Sequence, residues 1–166
     1  MLRVTAGASV RAATLADAAA IAAIYNEGIR GRASTFETRE RTALEVEGWF
    51  GSRPLLVAER AALVVGWAAA SEYRARACYD GVGDFSVYVA ARARGQAVGS
   101  ALLAALLPAC AAAGLWKLVS RVFPENAASR ALCARHGFRE VGVYRRHARL
   151  DGVFRDVVIV ERGLEP

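Results

Sequence analysis

Apolar positions along this chain switch between helical spacing and strand-like runs, and the switches divide it into short elements. Val10 to Ala13 reads as a first strand. Thr14 then starts a helix, with Asp17 three residues on as a capping box. Ala18, Ile21, Ala22, Ile24 and Tyr25 give that helix an apolar face, which fades near Gly28 to Gly31. Ser34-Thr35-Phe36 is polar loop with one aromatic, and Thr42 to Phe50 predicts a second helix stopped by Gly51 and Pro54. Leu55 to Ala58 and Leu63 to Ala70 predict two strands around a turn at Glu59 to Ala62. A basic, aromatic loop from Tyr73 to Gly81 leads to a central strand, Phe85 to Val89. Val98 to Ala113 predicts a long helix ended by Gly114, in which Pro108, lacking an amide hydrogen, should produce a kink or mark an irregular turn. Trp116 to Val122 is another strand, and Pro124-Glu125-Asn126 opens a helix to Arg135, closed by Gly137. Phe138 to Tyr144 and Val153 to Glu161 are closing strands joined by a turn at Asp151-Gly152. The order β-α-α-β-β-β-α-β-α-β-β is α/β with a mixed, twisted sheet flanked by helices, not a strict βαβ array.

Length and composition fit one folded domain. At 166 residues, with 55% hydrophobic and 23% charged residues, the chain has material for a core. We expect a flexible extension at 1–9 and a single domain at 10–164. No apolar run reaches the roughly 18 residues of a membrane span, and the first residues lack the apolar core of a signal peptide, so no membrane partner and a cytoplasmic location are expected. Cys78, Cys110 and Cys133 form no CxxC pair, and His136 and His147 are the only histidines. That argues against a disulfide framework and a metal site. The net charge is +6, and all basic residues but Lys117 are arginine. An anionic substrate is one reading of that bias and codon composition another. No basic helix with interleaved aromatics suggests nucleic acid.

The stretch Asp84 to Ala101, DFSVYVAARARGQAVGSA, carries the chemistry. Strand, glycine turn and helix start make a phosphate seat, because the first-turn N–H groups of a helix point outward and its dipole favours negative charge. A nucleotide P-loop needs GxxxxGK[ST], which is absent. The dinucleotide fingerprint GxGxxG fails because Gly95 and Gly99 are four apart.

Arg94-Gly95-Gln96-Ala97-Val98-Gly99 instead resembles the acyl-CoA pyrophosphate turn Q/R-x-x-G-x-G/A of the GCN5-related N-acetyltransferase (GNAT) superfamily. A second block, Asn126-Ala127-Ala128-Ser129 followed by Gly137-Phe138, resembles that family's N-x-x-[AS]…G-F helix and strand. The resemblance implies an acyl-CoA N-acyltransferase architecture with acetyl-CoA as cosubstrate and no metal. Backbone groups of Val87, Tyr88 and Val89 would pair with the pantetheine arm. N–H groups of Gly95, Gln96, Ala97, Val98, Gly99 and Ser100 would hold the pyrophosphate. Asn126 and Ser129 would bind further along the cofactor. Ala97 stands where the family has glycine. Its Cβ would crowd the pyrophosphate or resist a positive φ, but alanine is acceptable in a helical first turn, so a tolerated change is expected.

Arg74-Ala75-Arg76-Ala77-Cys78-Tyr79 ahead of Asp84-Phe85-Ser86-Val87-Tyr88-Val89 resembles the phosphinothricin-type acetyltransferases. So do Tyr25-Asn26, Ser34 to Thr38 and the tail from Gly142 to Asp156. Lys117 to Asn126 and Leu150-Asp151-Gly152 look most like the arsinothricin branch. The resemblance implies a homodimer acting on a small acidic amino acid. Arg74 and Arg76 would meet its oxyanions, since guanidinium offers paired donors. Tyr79 would add a hydroxyl and Phe36 a wall, while Tyr25 is read as either core or ligand. Asp84 is the candidate base, directly or through a water, or else a strand-end carboxylate paired with a nearby arginine. The family usually has glutamate there. Cys133 occupies the position of a thiolate-protonating tyrosine, or is core filler. His136 and His147 are expected in surface or loop positions. The competing functions are an acetyltransferase for another amine or a protein N-terminus, and a non-catalytic acyl-CoA-binding regulatory module.

Overall fold

The computed structural model describes residues 7–51 and 53–164. Of the extension expected at 1–9, residues 1–6 lie outside the described residues, and Ser9 already belongs to the first strand. The elements are β1 (Ser9–Ala12), α1 (Ala18–Gly31), α2 (Ala43–Glu47), β2 (Leu55–Arg60), β3 (Leu63–Glu72), β4 (Val82–Val89), α3 (Val98–Ala112), β5 (Lys117–Val122), α4 (Ala127–Arg135), β6 (Arg139–Leu150) and β7 (Val153–Gly163). Their order matches the hydrophobic pattern. They form one seven-stranded sheet ordered β1-β2-β3-β4-β5-β7-β6, in which only β4 and β5 run parallel to each other.

Helices cover both faces. The leucine-rich side of α3 packs on one, with Leu102, Leu103 and Leu106 fully buried against Phe85 and Leu118. Each such leucine contributes about 1.5–3 kcal/mol by leaving water. On the other face α1 and α2 bury Ile21, Ile24 and Val46 against Val57 and Trp67. Alternation along β4 serves both: Phe85, Val87 and Val89 face α3, whereas Tyr88 joins the α1 side. Gly28 lets α1 lie against β4, since a Cβ there would stand 2.7 Å from the Tyr88 ring.

Three expectations about the elements need correction. Helix α2 ends at Glu47 rather than Phe50, because Gly48 breaks the α-helical pattern and the chain continues in tighter turns, Trp49 N–H to the Val46 carbonyl and Phe50 N–H to that of Glu47. No irregular turn forms at Pro108, since α3 continues through it to Ala112 with the proline ring on its exposed side. The closing hairpin is longer than the apolar pattern showed. Its outer half, around Arg145 to Arg149, has no apolar alternation. It is held by pairing to β7, by the Arg146 N–H bonding Asp156 at 2.7 Å, and by Arg146 and Arg149 stacking over Phe154.

Candidate active site

The site begins where β4 and β5 part. Their parallel pairing covers only Val82 to Asp84 against Lys117 to Val119, although β3 pairs with β4 as far as Val89. Beyond Asp84 the β5-facing edge of β4 therefore carries unpaired backbone groups, which an extended ligand can satisfy as an added strand. A cleft of about 500 Å³ opens at this fork. Its walls are β4 from Asp84 to Tyr88, β5 from Ser120 to Val122, Phe123 just after it, Asn126, Ser129 and Cys133 at α4, and the loop Ser34 to Glu37.

The phosphate seat adjoins it. Among the described residues, the N–H groups of Gly95, Gln96 and Ala97 have no backbone partner, and those of Val98, Gly99 and Ser100 form the open first turn of α3. Gly95 has φ +71°, which glycine adopts freely. Ala97 also lies in the left-handed region, at φ 60° and ψ 9°, as the residue before α3. The expectation that alanine would sit there in a helical first turn is thus corrected: it holds a glycine conformation, a strain of about 1–2 kcal/mol. The Ser100 hydroxyl contacts Nε2 of His136 at 2.8 Å. His136, expected in a surface or loop position, lies in the turn that caps the end of α4, and burial together with Arg135 and Arg162 lowers its pKa. His147 is exposed on β6, with its ring near Tyr144 and Phe36.

Asp84 and Val119 are register partners, so their side chains leave the sheet on one face, and Arg121, two residues on, shares it. Arg121 donates to the Asp84 carboxylate. Asp84 is thus ion-paired to an arginine, and it stands in the cleft. Burial raises its pKa, with the Arg121 hydrogen bond and charge pulling the other way. Arg121 escaped the sequence reading because the pair is 37 residues apart in the chain. The signal that could have found it is an arginine on the Val119 side of a strand parallel to β4.

The other expected residues divide. Phe36 lines the cleft and packs edge-on against Phe123, ring centroids 4.9 Å apart. Tyr25 is both core and wall: it meets Trp49, Trp67 and Tyr88 edge-on, while its hydroxyl lies 3.4 Å from that of Thr35 in the cleft. Asn126 and Ser129 line the cleft, but the Asn126 amide already accepts from the Ser129 N–H at 3.1 Å and donates to the Ala33 carbonyl at 3.3 Å. Cys133 reaches the cleft wall from the core, and burial pushes its thiol up to about 11. Arg74, Arg76 and Tyr79 are not part of the lining. Both arginines are exposed, Arg74 over the ring of Tyr73 and Arg76 over that of Tyr79. Among the described residues no cluster of metal-ligating side chains occurs.

The sequence pattern of the acetyltransferase (GNAT) family matches residues 21–138, which span the fork, the seat and α4. The chain belongs to this family. Similarity to individual members runs almost end to end. A phosphinothricin N-acetyltransferase of Streptomyces coelicolor is 37% identical over 96% of this chain and 98% of its own length. An L-methionine sulfoximine/L-methionine sulfone acetyltransferase of Pseudomonas paraeruginosa is 32% identical over 96% of each. A solved GNAT phosphinothricin acetyltransferase from Sinorhizobium meliloti, in complex with acetyl-CoA, superposes with TM-score 0.88 at 29% identity, covering 95% of this chain and 89% of its own. This GNAT chain is thus an N-acetyltransferase.

Proposed function

We propose that the enzyme transfers an acetyl group from acetyl-CoA to the α-amine of a small acidic amino acid of the phosphinothricin or arsinothricin type, directly and within a ternary complex. The observation that carries this reading is the fork: an unpaired strand edge leading from an amide-lined turn to a carboxylate. The residues present fit the cosubstrate. The β4 edge beyond Asp84 offers backbone partners to an extended amide-bearing arm, and the open N–H groups of Gly95 to Ser100 suit a diphosphate. Acetyl-CoA supplies the acetyl thioester. The chain supplies position and proton handling. Asp84 holds the substrate ammonium at the fork and accepts its proton, directly or through a water, so that the amine is neutral when it reacts. Because burial raises the Asp84 pKa, its acid-side titration falls above the range of an exposed aspartate. Cys133, whose thiol stays protonated at neutral pH, is a donor within the cleft wall.

The exposed Arg74–Tyr79 loop lies outside the cleft of its own chain. A homodimer with its two-fold axis near the cleft is the arrangement that would let those guanidinia meet a substrate's distal oxyanion. The setting we propose is detoxification of antibiotic amino acids in the cytoplasm; among the described residues no helix is long and apolar enough to cross a membrane.

The test is purified enzyme with acetyl-CoA and a panel of phosphinothricin, arsinothricin and methionine sulfoximine, with CoA release followed by a thiol reagent. Release dependent on at least one of these amines is expected. Release with none of them, or equally well with a polyamine, overturns the reading.

A further inference from the structure

Of the charged side chains that line the cleft, Glu37 and Asp84 are acidic, and Arg121 is the one cation among the described residues there. An acidic substrate entering this cleft meets a single guanidinium of the same chain. That guanidinium is not free: it is held by Asp84, the carboxylate placed at the fork. The two are mutually exposed to the cleft rather than sealed, with 40% of the Arg121 side chain and 20% of the Asp84 side chain accessible. Because Asp84 is partly buried, a ligand that opens the pair must supply a replacement charge to each partner.

The shape of the ligand that fits such a pair follows from its chemistry. An α-amino acid carries its ammonium and its carboxylate on one carbon, so the two charges stand side by side, as the carboxylate of Asp84 and the guanidinium of Arg121 do. We infer that the Asp84–Arg121 pair is the receptor for the substrate's zwitterion, with Arg121 taking the α-carboxylate and Asp84 the α-ammonium. Arg121 is then the specificity-determining residue for a free α-carboxylate. This rests on the amino-acid reading given above and sharpens it. Both protein charges exchange one partner for another, and each keeps an opposite charge throughout. The guanidinium fork meets the carboxylate by paired hydrogen bonds. Polyamines and protein N-termini carry no carboxylate beside the reacting amine, so they would leave Arg121 buried under the ligand without a partner, which sites of this kind reject strongly. Arg74 and Arg76 play no part in this contact and remain available for the distal oxyanion.

The experiment uses L-methionine sulfone and its α-carboxamide, a pair with the same skeleton and an uncharged side chain, so that the α-carboxylate is the only anion compared; the amide's less basic amine favours the amide and so works against the expected preference. Wild-type enzyme should prefer the acid by about 100-fold or more in kcat/KM. Arg121→Met should reduce that preference to below about fivefold, through a rise in KM for the acid, with the Kd for acetyl-CoA measured by calorimetry unchanged. The ratio of acid to amide cancels the effect of the substitution on the basicity of Asp84. Arg121→Lys, which keeps the charge and loses the fork, should retain an intermediate preference. Calorimetric binding of the acid and the amide to the enzyme–CoA complex should show the same contrast without turnover. A wild type that uses acid and amide equally, or a preference that survives in Arg121→Met, overturns the assignment alone. A wild type that neither turns over nor binds these two compounds, phosphinothricin or arsinothricin overturns the amino-acid reading with it.

Discussion

The two halves of this cleft are built from different materials. The half we assign to the cosubstrate is mainly backbone: an unpaired strand edge and a turn of open N–H groups within Asp84 to Ser100, with Asn126 and Ser129 at the cleft wall beside it. The half we assign to the amine is side chains brought together by the sheet: Asp84 from β4, Arg121 from β5, Tyr25 from α1 and Phe36 from the loop after it. A backbone site depends on the order strand, turn, helix and on a residue tolerating positive φ at Gly95. A side-chain site depends on register between strands distant in sequence. Perturbing one half should therefore leave the other standing, and that independence can be attacked from either side.

The largest effect is expected at Asp84. Asp84→Asn should lower kcat/KM for the amine by about 10²–10⁴-fold, the usual contribution of a positioned base. The Kd for acetyl-CoA should stay within about twofold, because the proposed CoA contacts are backbone. In the wild type, the acid-side limb of the kcat/KM profile should lie above the range of an exposed aspartate, since burial raises this pKa and the active form is the carboxylate present at higher pH. A parallel collapse of acetyl-CoA affinity would break the separation between the halves.

Next in size is the loop outside the cleft. Replacing both Arg74 and Arg76 with Ala should raise KM for phosphinothricin about tenfold and leave methionine sulfone, which lacks the distal charge, little changed. If the loop works across a two-fold axis, mixing this variant with Asp84→Asn should restore activity. Statistical exchange makes half the dimers mixed, each with one intact site, so about 25% of wild-type activity is expected. A mixture no more active than its components would show that the loop serves its own chain or no site at all.

These halves were not equally legible in the sequence. The phosphate seat is local, so Gly95, Gly99 and the helix that follows could be read from adjacent residues. The element order was legible for the same reason: each strand and helix carries its own periodicity. Arg121 was not, because nothing near it in the chain records that β5 lies parallel to β4 in a register that sets Val119 beside Asp84. The loop of Arg74 and Arg76 shows the converse. Its composition suggested an anion site, yet local composition does not say which cleft a loop faces. The outer hairpin was missed on the same grounds, since pairing there is held by backbone and by arginines over Phe154, not by an apolar face.

Two small substitutions in the turn sharpen the comparison further. Gly95→Ala meets no steric obstacle, as nothing lies within 4 Å of the new Cβ, so its effect is purely conformational. Gly95 is exposed, and its N–H has no backbone partner among the described residues, so an alanine there is free to leave positive φ. Acetyl-CoA binding must then restore the left-handed conformation at a cost of about 1–2 kcal/mol, and the Kd should rise roughly tenfold. KM for the amine should not move, and if it does, the two halves share more than an edge.

Ala97→Gly is the reverse case and the smallest effect. Ala97 is anchored in its left-handed conformation, because its carbonyl accepts from the Ala101 N–H at 3.0 Å in the first full turn of α3. Its strain is therefore present with or without ligand, and glycine relieves it equally in both states. The relief of about 1–2 kcal/mol is partly offset by the greater freedom glycine gives the unfolded chain, about 0.5–1 kcal/mol. The net gain should raise Tm by about 2 °C in a chain of this size. Calorimetry should find the acetyl-CoA Kd within about threefold of wild type, since strain common to both states cancels from binding. A tenfold tightening without a change in Tm would mean that the Ala97 methyl crowds the diphosphate instead, and the turn would then be limited by space rather than by its backbone angle.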